Sequence, residues 1–128
     1  MSDPDCVRFN FNDKVVVVTG AAQGIGAACG ERFARDGAAV ALWDVNDQAA
    51  SALAQQLTQQ GHRAASFRCD VSRKADVDSA LAATVAAFGR VDALINNAGI
   101  FKAANFLDIT EADWDAVIHT NLDSTFNM

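Results

Sequence analysis

The chain has 128 residues, 51% of them apolar, and although 26 residues are alanine enough larger apolar side chains remain for one core. Charged residues make up only 20%, which excludes a disordered polymer, and a net charge of −6 without a basic stripe argues against nucleic acid or an anionic membrane as partner. No apolar run approaches the roughly 20 residues needed to span a bilayer, and residues 1–13, an N-terminal extension, lack a signal-peptide pattern, so the chain reads as cytoplasmic. Cys6, Cys29 and Cys69 form no C-x-x-C pair and read as free thiols, the last two as small core residues. No spacing suggests a metal site.

In chain order, Lys14–Thr19 is a short continuous apolar run, the pattern of a strand buried on both faces of a parallel sheet. A glycine-rich turn follows, then a helix marked by Ile25, Cys29 and Phe33 and ended by Gly37. Ala39–Trp43 is a second buried strand, and residues 47–60 form a helix with Ala49, Leu53 and Leu57 on one face, stopped by Gly61. Ala64–Cys69 is a less apolar strand suited to an edge. Ser72 is placed to cap the next helix, whose apolar face is Val77, Leu81, Val85 and Phe88. Ala93–Asn96 is the fourth strand, and Thr110 with Asp113 opens a last helix that buries Trp114, Val117, Ile118, Leu122 and Phe126. Trp43 and Trp114 read as core, His62 as a loop residue and His119 as a boundary residue on the last helix. The four-fold alternation predicts an α/β fold, a doubly wound parallel sheet with strand order 3-2-1-4. No glycine or proline ends the last helical pattern, so residues 14–128 read as one half-domain cut within its last helix.

Four segments that carry chemistry each follow a strand. Gly20, Gln23, Gly24, Ile25 and Gly26 lie in a turn where glycines let the backbone approach a pyrophosphate and a helix N-terminus offers N–H groups to it. The spacing is G-x-x-x-G-x-G; it meets neither G-x-G-x-x-G, since Cys29 stands where glycine would be needed, nor a Walker A loop. Asp44 ends the second strand, where a carboxylate can accept from ribose hydroxyls and repel a 2′-phosphate, or can simply start a turn with Asn46. Asp70 and Val71 after the third strand could meet an adenine, or be an ordinary turn. Asn96-Asn97-Ala98-Gly99 ends the fourth strand with short amides that can bridge neighbouring loops and small residues that leave room for a ring.

In this order and on these elements, the motifs resemble the N-terminal half of the short-chain dehydrogenase/reductase family, in its TGxxxGxG subgroup. The resemblance runs from Lys14 to Met128. Thr19, Gly20, Gly24, Ile25 and Gly26 match the family loop, Asp44 its NAD-selecting acid, Asp70 and Val71 its adenine contacts, and Asn96-Asn97-Ala98-Gly99 its N-N-A-G motif. Asn121 matches the Asn of the Asn-Ser-Tyr-Lys tetrad. The resemblance implies a Rossmann-type fold truncated to four strands, NAD as cofactor, and hydride transfer to or from a small alcohol or carbonyl substrate. It also implies a departure: the chain has no tyrosine, so the family's acid/base residue is absent, and its Ser and Lys would fall beyond Met128. The 128 residues alone are therefore expected to be inactive, and the alternatives are a non-catalytic dinucleotide-binding module or an interaction fragment completed by another chain. An uncovered fourth strand, apolar and without Lys or Pro to blunt it, is expected to drive self-association or a homo-oligomer.

Overall fold

A computed structural model describes residues 9–128; Cys6 and most of the N-terminal extension lie outside them. The elements in chain order are β1 (Val15–Thr19), α1 (Gly24–Arg35), β2 (Ala39–Asp44), α2 (Asp47–Gln59), β3 (Ala64–Arg68), α3 (Lys74–Phe88) and β4 (Ala93–Ile95). A 3₁₀ turn (Phe106–Asp108) leads to α4 (Glu111–Ile118), a π-helical turn (His119–Asp123) and α5 (Ser124–Asn127). Among the described residues no helix is long and apolar enough to cross a membrane.

All strand pairs are parallel, in the order β3-β2-β1-β4, as expected. The continuous apolar strands have the expected cause. Val16 and Val18 of β1 point with Val40 and Leu42 of β2 into one core layer, with Ala34, Leu53, Ala54 and Leu57 from α1 and α2. Val17, Ala41 and Trp43 point the other way, against Val77 and Ala80 of α3. A strand residue therefore meets apolar atoms whichever face it takes. The change of face between α2 and α3 makes the junction of β1 and β4 the switch point, where the carboxyl ends of adjacent strands splay into a crevice.

Helix faces depart from the pattern of large residues. The buried stripe of α1 is Gly26, Gly30 and Ala34, while Ile25 is 77% exposed and Cys29 and Phe33 only flank the core. A methyl at Gly30 would stand 2.7 Å from Leu42 Cδ2, so α1 lies too close to the sheet for larger side chains. In α2 the buried residues are Ala50, Leu53, Ala54 and Leu57, with Ala49 at the margin. In α3 they are Val77, Ala80 and Thr84, and Leu81 and Val85 face outward. Thr84 is buried for a reason: its hydroxyl accepts from the Trp43 indole N–H at 3.0 Å and donates to the Ala80 carbonyl. Ser72 does not cap α3; the N-cap residue is Arg73, and Ser72 turns back to Asp70.

Thr110 does cap α4, accepting from the Asp113 N–H at 3.1 Å and donating to its carboxylate at 2.8 Å. The expected buried side of that helix is not buried: Trp114 is 61%, Leu122 63% and Phe126 91% exposed. Among the described residues the sheet ends at β4, so no strand lies beneath these side chains. The extension is used in part: Phe11 packs edge-on against Phe33 at 5.0 Å and its N–H donates to the Asp36 carbonyl.

At the amino edge of the sheet, Asp92 accepts from the Val15 N–H at 2.8 Å and faces Arg90 and Lys14. The Val15 hydrogen bond first, then these cations, hold its carboxyl below the usual range. A group whose folded pKa is depressed stabilises above its unfolded value and loses that contribution as pH falls through the folded one. Asp92→Asn is therefore expected to lower stability at neutral pH and to flatten the acid limb below about pH 4. Urea unfolding across that range checks it, and an unchanged acid slope would remove Asp92 from the account.

Candidate functional site

The carboxyl ends of all four strands open on one cleft of about 590 Å³. Its lining includes Gly20, Gln23, Gly24, Ile25, Asp44, Asp70, Val71, Asn97, Ala98 and Gly99, so ten of the residues singled out from sequence meet there. Gly26 sits just behind the loop. Val45, Cys69, Ile100 and Thr120 also line the cleft; of these Val45, Cys69 and Thr120 carry no signal in the sequence that marks a site residue.

Thr19 and Asn97 tie the glycine loop to the β4 loop. The Thr19 hydroxyl accepts from the N–H groups of Asn97 and Ala98, each at 3.0 Å, and donates to the Ile95 carbonyl. In return the Asn97 amide donates to the carbonyls of Thr19 (2.9 Å) and Gly20 (3.1 Å). The bridging role expected of the paired amides thus belongs to Asn97, while Asn96 is exposed. Gly26 makes this packing possible, because a Cβ there would lie 2.1 Å from the Gly20 oxygen and 2.6 Å from the Asn97 amide nitrogen.

Gly24 serves a different purpose. Its φ of +58° suits glycine, and the space where a side chain would begin is open, with no atom within 4 Å. Gln23, extended at the N-cap of α1, makes no side-chain cap bond, so the first-turn N–H groups are uncapped by a side chain. An open cradle beside an uncapped helix N-terminus suits an anion.

Asp44 combines both readings open at the sequence level. One oxygen accepts from the Ala22 N–H of the glycine loop at 2.9 Å, and the other accepts from the Asn46 N–H at 2.8 Å as a turn residue does. Each oxygen keeps further lone-pair capacity toward the cleft it lines. Arg68, in register with Asp44, has its guanidinium 3.6 Å from Asp76. Asp70 accepts from the Ser72 N–H (3.0 Å) and hydroxyl (2.6 Å), which fixes its carboxylate at the β3 end. Burial, then the carboxylates of Asp76 and Asp70, push the Cys69 thiol up to about 11, which keeps it protonated near neutral pH.

Asn121 lies in the π-helical turn and grips one residue twice: its carbonyl accepts from the Ile100 N–H at 2.8 Å and its amide donates to the Ile100 carbonyl at 2.9 Å. It therefore fixes the backbone of the loop after Gly99. His119, exposed, hydrogen-bonds the Asp115 carbonyl and lies 3.6 Å from Asp123, away from the cleft lining.

Residues 14–128 match the model of the family described as short chain dehydrogenase. The chain belongs to this family. It is similar to D-threitol dehydrogenase of Mycolicibacterium smegmatis, 42% identical over 120 residues, which cover 94% of this chain and 46% of that protein. It is also similar to the BbsD subunit of a hydroxy(phenyl)methylsuccinyl-CoA dehydrogenase from Thauera aromatica, 40% identical over 116 residues, covering 91% of this chain and 47% of that one. Among solved structures, a short-chain dehydrogenase/reductase from Burkholderia phymatum in complex with NAD superposes with a TM-score of 0.89 at 34% identity, over 93% of this chain and 42% of that one. The chain spans about half the length of the curated relatives it matches. Those relatives differ in the substrates they are named for, although both match the half of the fold present here.

Proposed function

We propose that this chain is the NAD-binding half of a short-chain oxidoreductase, which moves a hydride between NAD(H) and an alcohol or carbonyl carbon. The observation that carries the reading is the convergence, in one cleft at the switch point, of an open glycine cradle, an uncapped helix N-terminus and a carboxylate at the end of β2. That donor set fits a dinucleotide from its pyrophosphate to its adenosine ribose. Gly20, Gln23, Gly24, Ile25 and Gly26 would hold the pyrophosphate, Asp44 the ribose diol, and Asp70 with Val71 the adenine. Asn97, Ala98 and Gly99 would border the second ribose. Bound there, the nicotinamide supplies the hydride chemistry. Asn121 holds the Ile100 backbone beside that end of the cleft.

In the family a tyrosine hydroxyl serves as acid/base, and a phenol with a pKa near 10 needs a neighbouring cation to do so near neutrality. These 128 residues contain no tyrosine. The polypeptide alone is expected to bind NAD without sustained turnover. Calorimetric titration with NAD, followed by a panel of alcohols monitored at the nicotinamide absorbance, tests both parts. Absence of any dinucleotide binding overturns the reading; steady NAD reduction overturns the inactivity.

A second reading, of a chain completed by another polypeptide, draws support from the open β4 edge and the exposed Trp114, Leu122 and Phe126. On that reading the isolated chain self-associates, and sizing the preparation used for the titration distinguishes it from a monomeric binding module.

A further inference from the structure

One hydrogen bond near the end of the chain belongs to none of the motifs above. The Asn127 amide of α5 donates to the Val71 carbonyl at 3.0 Å, joining residues 56 apart in sequence. Val71 is 5% exposed and lines the cleft together with Asp70 and Cys69. Beside Asn127, Ser124 is buried and Met128 packs against the core layer that contains Val71, Cys69 and Trp43. The contact is therefore seated in packing.

Asn121, six residues earlier, grips Ile100 of the β4 loop. In a regular α-helix, side chains six apart point roughly 240° from one another. The intervening π turn, His119–Asp123, inserts an extra residue and resets that phase. Thr120, within that turn, lines the cleft. One short helical stretch thus carries an amide to the loop after β4 and another to the loop after β3.

We propose that Asn127 is a positioning residue for the adenosine end of the cofactor cleft: by holding the Val71 carbonyl it sets the wall formed by Asp70 and Val71, and with Asn121 it braces the two loops on either side of the cleft. The inference rests on the cofactor reading above. The Val71 carbonyl accepts from this donor, and Asp70, one residue earlier, is oriented by Ser72 on the same turn. Loss of the brace lets the turn of residues 70–73 open, and an adenine ring then meets a wall that must first be ordered.

The test uses the full 128-residue chain, with 5′-AMP as a probe of the adenosine end and NAD as the complete dinucleotide. Asn127→Asp keeps the shape but replaces the donor with an acceptor facing a carbonyl; Asn127→Ser removes the contact without adding charge and gives the same reading if the first variant does not fold. Both are expected to bind 5′-AMP about threefold to tenfold more weakly. Amide exchange at residues 70–73 should rise, with exchange in β1 and β2 unchanged. A purely structural role would instead raise exchange throughout and leave the 5′-AMP affinity of the folded fraction intact, which overturns the proposal. Wild type that binds while the variants match it in affinity and exchange overturns this inference alone. Wild type that binds neither ligand overturns the cofactor reading and this inference with it.

Discussion

Gly26→Ala is expected to cost about 3 kcal/mol of stability, the upper end for overpacking, whereas in an ordinary helix alanine is the better residue. The added methyl would lie 2.1 Å from the Gly20 oxygen, 2.6 Å from the Asn97 amide nitrogen and 2.8 Å from the Gly20 carbonyl carbon. None of these atoms is free to give way. The Asn97 amide is held by two carbonyls, its N–H by the Thr19 hydroxyl, and Thr19 by the Ile95 carbonyl. Relief requires α1 to move off the sheet or the amide bridge to break, and either leaves buried polar groups unpaired. Gly24→Ala is the contrasting case. Its Cβ meets nothing within 4 Å, so only the left-handed backbone at φ +58° opposes it, about 1–2 kcal/mol. Its methyl would occupy the cradle, and NAD affinity is expected to fall about tenfold or more while the fold survives. Urea unfolding of both variants, with NAD titration of Gly24→Ala, measures the two effects separately. Equal stability losses in the two would mean that the close approach at Gly26 does not govern the loop.

The strands and the loops were legible in the sequence for different physical reasons. Val15 to Thr19 and Ala39 to Trp43 are apolar at every position because helices cover both faces of the sheet, and few other environments ask for that. Gly20, Gly24, Asp44 and Asn97 stood out because each follows a strand, and the carboxyl ends of parallel strands converge whatever the loops contain. Helix faces were less legible. Reading large apolar residues as the buried side put Ile25, Leu81 and Val85 toward the core, whereas the sheet-facing positions are Gly26, Gly30, Ala80 and Thr84. Close helix–sheet packing selects against volume, so the signal is the absence of side chain. An alanine-rich helix such as α3 is mildly apolar all round and fixes no phase on its own. Trp114, Leu122 and Phe126 follow a true amphipathic period, but periodicity says which residues share a face and not whether anything lies under it. The π turn had no local signal. It contains Asn121, whose side chain reaches Ile100, a pairing 21 residues apart in sequence.

NAD is expected to bind in preference to NADP, with Asp44 carrying the difference. Its two oxygens stand at the end of β2 with lone-pair capacity left after the Ala22 and Asn46 N–H groups are satisfied, which suits a ribose diol. Charge-assisted hydrogen bonds of this kind are worth about 1.5–3 kcal/mol each, so a 2′-phosphate that replaces one with like-charge repulsion should bind at least tenfold, and up to about a hundredfold, more weakly. The guanidinium of Arg68, in register beside Asp44, is engaged by Asp76. Asp44→Ala does two things at once. It removes the selecting charge, and it frees the Ala22 N–H that anchors the glycine loop to β2. Affinity for both cofactors should therefore fall, through the loosened loop, while their ratio moves toward unity. Asp44→Asn separates the two contributions, since its carbonyl can still accept from Ala22 while the charge is gone, at the cost only of the local Asn46 N–H contact. Titrating adenosine-half analogues with and without the 2′-phosphate against the three proteins gives the answer without relying on contacts at the nicotinamide end. A ratio that Asp44→Asn leaves unchanged would assign Asp44 to the loop alone, and the source of any cofactor preference would then lie elsewhere in the cleft.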